Sequence, residues 1–175
     1  MRERPIEYCY WVADNLLAGE YPGDIDEDKA KAKVESLLRA GVSVFIDLTE
    51  DGEHSAYTRG RPLVPYTHLA ESAEHFRFAI PDGRAPESGA FTTAILDAID
   101  RHIEEGHGVY VHCLGGVGRT GTVVGCWLSR HGHPGSHALE RLGQLWQQNP
   151  KSLDRDSPER SAQVRYVRSW REPGE

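Results

Sequence analysis

The feature that most constrains this chain is a glycine-rich loop between an apolar run and a helix-like run. The apolar residues 108–111 come before the loop, and residues 122–128 follow it with helical character. Between them, the segment His112-Cys113-Leu114-Gly115-Gly116-Val117-Gly118-Arg119-Thr120-Gly121 places one cysteine and one arginine six positions apart. In a strand–loop–helix unit, the loop N–H groups and the positive end of the helix converge on an anion. The sequence therefore predicts a phosphate-binding loop here.

Two side chains add chemistry to this predicted loop. The thiolate, not the thiol, is the nucleophilic form of cysteine, and loop amides, the helix dipole and Arg119 all favour the anion at Cys113. The Arg119 guanidinium is a planar fork that matches two phosphate oxygens, which a lysine ammonium cannot do. The glycines allow the backbone to approach a ligand closely. The loop thus has both a nucleophile and an anion clamp.

Strand patterns alternate with helix patterns along the rest of the chain. We predict strands at 10–12, 16–18, 42–48, 75–80 and 109–112, and helices at 26–40, 87–105, 120–131, 136–148 and 158–170. The continuous apolar, β-branched run at 42–48 indicates a strand buried on both faces. Alternation of this kind predicts an α/β fold with a central, mostly parallel sheet flanked by helices. Cys113 would then lie at the carboxyl end of a strand, where such sheets bind ligands.

The order Cys113, five residues, Arg119 and Thr120 resembles the signature loop of the cysteine-dependent protein tyrosine phosphatase superfamily. The resemblance implies one phosphatase domain over residues 1–175, in which Cys113 forms a phosphocysteine intermediate and Arg119 holds the phosphoryl group. It also implies that His112 orients the loop and that Thr120 donates a hydrogen bond to the departing sulfur. The substrate would be bound by the intervening residues Leu114, Gly115, Gly116, Val117 and Gly118.

The implied mechanism also needs an acid that protonates the leaving group. Asp82, in the segment Ile80-Pro81-Asp82-Gly83-Arg84-Ala85-Pro86, resembles the aspartate of the family's mobile acid loop. Ile80 stands where classical tyrosine-specific members carry tryptophan, which favours the dual-specificity branch and a compact prokaryotic type. The structural alternative is that Asp82 only forms the turn in Pro-Asp-Gly.

Other positions have weaker assignments. Gln163 resembles a glutamine that positions the hydrolytic water in some family members. Asp47 ends the predicted strand 42–48 and either supports the signature loop or forms a turn, and the sequence leaves both readings open. The polar segment 50–61 is predicted to lie near the mouth of the site without an assigned role, although its Tyr57 could stack on an aromatic substrate ring.

Composition limits the partners. A formal net charge of −7 disfavours nucleic acid and anionic membrane surfaces as partners. No apolar run approaches the roughly 18 residues of a membrane span. Three cysteines and a charged N-terminus predict a reducing compartment, the cytoplasm, without disulfides. The histidines at 131, 133 and 137 lack a metal-ligand pattern. We therefore expect a monomer without metal or other cofactor that acts on a phosphorylated protein or peptide.

The favoured function is hydrolysis of phosphate monoesters on proteins, on phosphotyrosine and also on phosphoserine or phosphothreonine. A phosphoinositide phosphatase is the first alternative, but such relatives often carry lysines in the signature loop, and residues 114–118 contain none. An RNA triphosphatase is disfavoured by the acidic charge. A non-catalytic module that binds phosphorylated partners usually lacks the cysteine, arginine or acid, and all three are present. Sulfur transfer would leave Asp82 without a role.

Overall fold

Five strands, five α-helices and two short 3-10 helices form the regular structure of the described part of the chain, residues 2–54 and 58–174 of a computed structural model. The strands are β1 (Cys9–Ala13), β2 (Leu16–Gly19), β3 (Val42–Asp47), β4 (Glu74–Arg77) and β5 (Gly108–His112). The helices are α1 (Glu27–Arg39), α2 (Gly89–Glu104), α3 (Gly118–Arg130), α4 (Ser136–Trp146) and α5 (Ser161–Ser169). Within this part of the chain, none of the helices combines the length and the hydropathy that a transmembrane span requires.

The strands form one sheet in the order β1-β2-β5-β3-β4. β1 pairs with β2 in the antiparallel direction, and the other three pairings are parallel. This confirms the predicted mostly parallel sheet. Because β5 is the central strand, its carboxyl end delivers Cys113 to the middle of one sheet edge, where the ends of β2 and β3 also lie.

Both faces of the sheet are covered, as the apolar strand at 42–48 predicted. On β5, Tyr110 packs with α1 residues such as Leu37 on one face. Val109 and Val111 point the other way and pack with apolar residues of α2, α3, α4 and α5. The period-two alternation of the strand therefore divides the core into two layers. The central strand is thus held from both sides, and the loop that follows it starts from a fixed point.

The first two helices begin at capping side chains. The Asp26 carboxylate accepts from the N–H groups of Asp28 and Lys29, at 3.1 and 3.3 Å, so the predicted start of α1 is confirmed. In α2, Ser88 Oγ accepts from the Phe91 N–H at 3.1 Å, which moves the first helical residue from the predicted 87 to Gly89. Such side-chain acceptors satisfy N–H groups that have no partner inside the helix.

Several elements are shorter than their sequence patterns predict, and the differences at β4 and α5 shape the sheet edge near Cys113. β4 ends at Arg77, not at residue 80, yet the Ile80 N–H still donates to the Leu48 carbonyl at 3.0 Å. α5 begins at Ser161, not at 158, because the Gln163 side chain accepts from the Arg160 N–H at 3.1 Å. The freed segments, 78–88 and 157–160, are therefore irregular backbone that can border a site.

Candidate active site

The backbone of the signature loop, residues 113–119, is fixed through its carbonyl groups. Three carbonyls accept hydrogen bonds from other parts of the chain: Leu114 O from the Tyr21 N–H at 2.9 Å, Gly115 O from Lys151 Nζ at 2.8 Å and Val117 O from Ser157 Oγ at 2.8 Å. The donors come from the end of β2, from the turn after α4 and from the segment before α5. Three separate elements thus hold one loop.

The N–H groups of the same loop are left for a ligand. Within residues 2–54 and 58–174, no protein acceptor takes a hydrogen bond from the N–H groups of residues 114–118. α3 begins at Gly118, and its first turn has no side-chain cap. Unpaired loop amides together with a helix N-terminus form a site of positive potential for an anion. The geometry is compatible with the phosphate-binding loop that the sequence predicts.

One glycine of the loop is required by geometry. Gly116 has φ of +71°, a left-handed conformation that residues with a side chain rarely adopt. A Cβ atom at this position would also lie 2.4 Å from the carbonyl carbon of Gly19. The loop therefore packs directly on the end of β2, where only hydrogen atoms fit between the two backbones.

Cys113 opens onto a pocket of about 210 Å³ at the carboxyl edge of the sheet. The pocket is lined by Asp82, Gly83, Cys113, Leu114, Gly115, Val117, Gly118, Arg119, Arg155, Glu159, Arg160 and Gln163. The other two cysteines belong to the core, and burial raises the pKa of Cys9 to about 11. Cys113 is thus the cysteine that faces the predicted anion site.

Arg119 is buried and forms a two-bonded ion pair with Glu53. Nη1 donates to Glu53 Oε2 and Nη2 donates to Glu53 Oε1, both at 2.7 Å, while Nη1 also donates to the Ile80 carbonyl at 2.9 Å. The two side chains are only 1% and 4% exposed. Burial disfavours a charged guanidinium, but the carboxylate of Glu53 outweighs this and raises the pKa of Arg119 above its usual range. The ion pair with Glu53 thus keeps Arg119 positively charged and holds its guanidinium in one orientation.

The remaining edge of the Arg119 guanidinium faces the site. Glu53 occupies the edge formed by the two terminal nitrogens, which leaves Nε and the other side of Nη2. Nε is buried without a hydrogen-bond partner among the described residues, and Nη2 lies 3.2 Å from Asp82 Oδ1. A buried N–H without an acceptor is costly. A phosphoryl oxygen at this edge would satisfy Nε and compete with Asp82 for Nη2.

Asp82 lies where the resemblance placed the acid, at the pocket and beside Arg119. Its side chain is 75% exposed, so its contact with Arg119 is made from the solvent side. The Arg84 N–H donates to the Pro81 carbonyl at 3.0 Å, which closes the turn predicted for Pro-Asp-Gly. The turn thus places Asp82 at the pocket, so the turn-forming role does not exclude the acid role that the resemblance implied.

His112 supports the loop from beneath. Its Nδ1 lies 3.1 Å from the Cys113 carbonyl oxygen, which can only accept, so Nδ1 carries the hydrogen and Nε2 accepts from the Tyr66 hydroxyl at 2.6 Å. Burial lowers the pKa of His112, which outweighs the opposite effect of the nearby Asp47. This geometry fits the orienting role that the resemblance implied for His112.

Asp47 is buried below His112 and resolves one alternative left open by the sequence. Its Oδ1 accepts from the N–H and the hydroxyl of Thr49, and its Oδ2 accepts from His75 and Arg77. Burial favours the neutral acid, but the nearby His112 and the hydrogen bonds from His75 and Thr49 hold the pKa of Asp47 well below its usual range. Asp47 thus forms the turn after β3 and binds two side chains of β4, and it approaches the signature loop through His112, whose Nδ1 lies 3.9 Å from Asp47 Oδ1.

Gln163 and Thr120 lie close to the loop in different ways. Gln163 lines the pocket, and its Nε2 donates to the Arg84 carbonyl at 3.0 Å, so it connects α5 to the turn that carries Asp82. Thr120 is buried in the first turn of α3, and its hydroxyl has no hydrogen-bond partner among the described residues. The Thr120 hydroxyl can therefore donate a hydrogen bond to an atom that becomes an acceptor only during a reaction.

Five residues of the site had no role assigned from the sequence: Glu53, Lys151, Arg155, Glu159 and Arg160. Glu53 belongs to the polar segment 50–61, where several acidic and basic neighbours look equivalent in the sequence. The other four follow the signature loop by more than thirty residues, and only the fold brings them to the loop and its pocket. Tyr57, the possible stacking residue, lies outside the described residues.

Elsewhere, the fold groups potential metal ligands that the sequence did not suggest, Glu74, His102 and His107.

The sequence is similar to a described family and to several known proteins. Residues 22–133 match the sequence family Tc-R-P, described as a polymorphic toxin system DSP-PTPase phosphatase. Protein 067L of Invertebrate iridescent virus 3, whose name describes a tyrosine phosphatase, is 31% identical over 123 residues, which are 69% of this chain and 45% of the viral protein. The chain spans less than half the length of the curated relatives that it matches.

Solved structures share the fold. The structure of Tk-PTP in its active form has a TM-score of 0.66 at 22% identity, over 91% of this chain and 92% of that one. PTPMT1 in complex with PI(5)P has a TM-score of 0.64 at 16% identity, over 92% of each chain. At these identities the similarity establishes the architecture of the sheet and helices.

The Arg119–Glu53 pair generates a first prediction. The substitution Glu53→Gln leaves a buried guanidinium without its carboxylate, which should cost about 3 kcal/mol of the free energy of unfolding. Because Arg119 would also lose its orientation, turnover of an aryl phosphate should fall about 100-fold. Urea denaturation and steady-state kinetics measure the two effects. Glu140→Gln, on the exposed face of α4, is the control and should change neither. Wild-type turnover by Glu53→Gln would contradict the orienting role.

The Asp47 network generates a prediction about pH. Because the pKa of Asp47 is lower in the folded than in the unfolded chain, its stabilisation is complete above about pH 5 and is lost as the pH falls towards the folded value. Asp47→Asn should therefore lose about 1–3 kcal/mol at pH 7. It should also lose less additional stability than the wild type between pH 5 and pH 3.

Urea denaturation at pH 7, 5 and 3 gives the required free energies of unfolding. Asp156→Asn, which changes an exposed carboxylate, is the control and should follow the wild-type pH profile. An Asp47→Asn profile parallel to that of the wild type would show that Asp47 is not the group that titrates.

Proposed function

This chain belongs to the DSP-PTPase phosphatase family, within the cysteine-dependent tyrosine phosphatase superfamily, and from that premise we propose that it hydrolyses phosphate monoesters on proteins. The proposed substrates are phosphotyrosine and also phosphoserine and phosphothreonine side chains. The reaction would proceed through a phosphocysteine intermediate on Cys113. The observation that carries the proposal is the loop of unpaired amides around Cys113, with the free Nε edge of Arg119 beside it.

In the first step, the Cys113 thiolate attacks phosphorus, the S–P bond forms and the P–O bond to the leaving group breaks. The loop amides and Arg119 stabilise the charge on the three equatorial phosphoryl oxygens. Asp82 gives its proton to the leaving oxygen. Since the loop is rigid and Arg119 is fixed by Glu53, the donors need little rearrangement as the transition state forms.

In the second step, water attacks the phosphocysteine, the S–P bond breaks and the water proton goes to Asp82. The unpartnered Thr120 hydroxyl is suited to donate a hydrogen bond to the departing sulfur. Gln163 is placed to orient the water, since it lines the pocket and bonds to the turn that carries Asp82. The step returns the enzyme to its starting protonation state and releases inorganic phosphate.

The contact between Asp82 and Arg119 also bears on substrate binding. A phosphoryl group at the free edge of Arg119 would compete with the Asp82 carboxylate for Nη2 and would displace it from this contact.

A phosphoinositide phosphatase remains the second candidate function, because one structural neighbour, PTPMT1, was solved in complex with PI(5)P. Against it, no cationic side chain lies within residues 114–118, so a head group with several phosphates would find little added charge in the loop itself. We place the protein in the cytoplasm, since the proposed Cys113 nucleophile has to stay reduced.

The nucleophile is tested by Cys113→Ser. The variant should lose turnover of a phosphotyrosine peptide by at least about 1000-fold, because serine is a much weaker nucleophile than a thiolate. It should still bind inorganic phosphate, because the amides and Arg119 remain. Steady-state kinetics and calorimetric titration with phosphate measure these effects. Cys9→Ser is the matched control, since its hydroxyl can replace the S–H group that donates to the Ile6 carbonyl. Normal turnover by Cys113→Ser would disprove the mechanism.

The acid is tested by Asp82→Asn with a series of aryl phosphates. Turnover should fall about 100- to 10,000-fold for a leaving group that needs protonation, and much less for an acidic phenol that does not. The plot of rate against the pKa of the leaving group should therefore become steeper. Glu87→Gln, at another exposed carboxylate of the same segment, is the control. An equal loss for all leaving groups would exclude Asp82 as the acid.

A further inference from the structure

The potential metal ligands Glu74, His102 and His107 lie near the edge of the sheet opposite Cys113. Glu74 is the first residue of β4, His102 belongs to the last turn of α2, and His107 directly precedes β5. One donor atom from each residue lies within 4.8 Å of the donor atoms of the other two. Since a strand advances about 3.3 Å per residue, β5 separates His107 from Cys113 by roughly 20 Å. The cluster is therefore distinct from the phosphate pocket.

The turn between α2 and β5 brings the two histidines together. The His107 N–H donates to the His102 carbonyl at 2.9 Å, and the centroids of the two imidazoles are 5.8 Å apart. Two imidazoles that bind one tetrahedral zinc ion have their centroids about 5 Å apart. A movement of about 1 Å would therefore place both rings on a single ion.

His102 is buried with one ring nitrogen unsatisfied. Its side chain is 5% exposed, and its Nδ1 has no hydrogen-bond partner among the described residues, although Glu105 Oε2 lies 3.3 Å away. Such a buried polar atom is costly. An ion on this ring removes the cost in either of two ways. It binds Nδ1 itself, or it binds Nε2 and so fixes a hydrogen on Nδ1 that Glu105 can accept.

His107 is oriented by the neighbouring strand β3. Its Nδ1 lies 2.9 Å from the Ser43 hydroxyl, so a hydrogen bond holds the ring and leaves Nε2 for an ion. Metal-binding histidines almost always have such a partner on the nitrogen that does not bind the metal. Val44, the residue after Ser43, is paired with Glu74 in the register of β3 and β4. The start of β3 thus positions both the imidazole and the carboxylate.

The donor set of the cluster favours zinc. Two imidazole nitrogens and one carboxylate oxygen are ligands that Zn²⁺ binds in proteins, with water in the remaining position. Mg²⁺ and Ca²⁺ prefer sites made of oxygen atoms alone. Glu105 adds a second carboxylate beside His102, so the surroundings carry the negative charge that a divalent cation needs.

We propose that Glu74, His102 and His107 form a binding site for Zn²⁺. The ion would join the end of α2 to the first residue of β4 and to the residue before β5. Within the described sheet, β4 pairs only with β3, so this link would stabilise an edge strand. The inference goes beyond the proposed phosphatase function and does not depend on it. The expectation of a chain without metal would then hold only for the phosphate pocket.

Calorimetric titration with ZnCl₂ tests the site, on the 175-residue chain carrying Cys113→Ser and freed of metal with a chelator. This substitution removes the thiol that opens onto the phosphate pocket, since thiolates are themselves good zinc ligands. We expect one Zn²⁺ per chain. At a free zinc concentration of about 100 times Kd, Tm should rise by about 5–10 °C, because the ion stabilises the folded chain that binds it.

Glu74→Gln and His107→Gln, each in the same Cys113→Ser chain, identify the ligands. Each should weaken zinc binding by at least about 100-fold, since the loss of an outer partner alone costs about 10- to 100-fold. Each should also remove most of the rise in Tm. Glu74 is exposed and His107 is half-buried, so neither substitution disrupts the core. Ser43→Ala, which removes the outer partner of His107, should weaken binding about 10-fold.

The matched control is His137→Gln, which removes an exposed histidine of α4 outside the cluster. It should bind zinc as the parent chain does. No stoichiometric binding by the parent, or unchanged binding by both Glu74→Gln and His107→Gln, overturns the site. Equal weakening in His137→Gln overturns it as well, because the ion would then lie elsewhere. None of these measurements uses turnover, so a failure of the phosphatase function is distinguishable from a failure of the zinc site.

Discussion

The rest of the structure depends on one feature of the signature loop. Carbonyl groups of the loop bind to other parts of the protein, and its N–H groups do not. The carbonyls of Leu114, Gly115 and Val117 bond outward to three different elements, while the N–H groups of residues 114–118 have no protein partner in the described chain. A loop that is held only on its carbonyl side presents its donors as a preformed anion site. An anion bound in the pocket would satisfy these N–H groups.

The buried pair of Arg119 and Glu53 is the second requirement of that site. Arg119 places a positive charge beside unpaired amides, which already create a positive potential. A buried arginine in this position would be unstable without a negative charge next to it. Glu53 compensates it on the edge away from the ligand and leaves the Nε edge open. At the end of β5, the His112 imidazole bonds to the Cys113 carbonyl and to the Tyr66 hydroxyl and so fixes the start of the loop. The fold thus holds the signature loop and Arg119 rigidly on the side away from the pocket and leaves unsatisfied N–H donors on the side that faces the pocket.

The sequence predicted the parts of this arrangement that are local. Cys113, Arg119 and the glycines lie within one short segment, and the cap at Asp26 and the turn at 81–83 depend on neighbouring residues. The mostly parallel sheet was also predicted, from the alternation of strand and helix patterns along the chain. Glu53 and Arg160 could not be predicted, because their roles depend on long-range contacts around the signature loop. Gln163 was singled out by resemblance, but its bonds to the Arg84 carbonyl and the Arg160 N–H are visible only in three dimensions.

The central claim is that Cys113 becomes covalently phosphorylated, and rapid-quench labelling tests it most directly. A phosphotyrosine peptide that carries a radioactive phosphoryl group is mixed with the enzyme, quenched within milliseconds and digested for peptide mapping. We expect label on the sulfur of the peptide that contains Cys113, which forms at least as fast as turnover and then disappears as phosphate is released. Full turnover without any label on Cys113, or stable label on another residue, would contradict the claim.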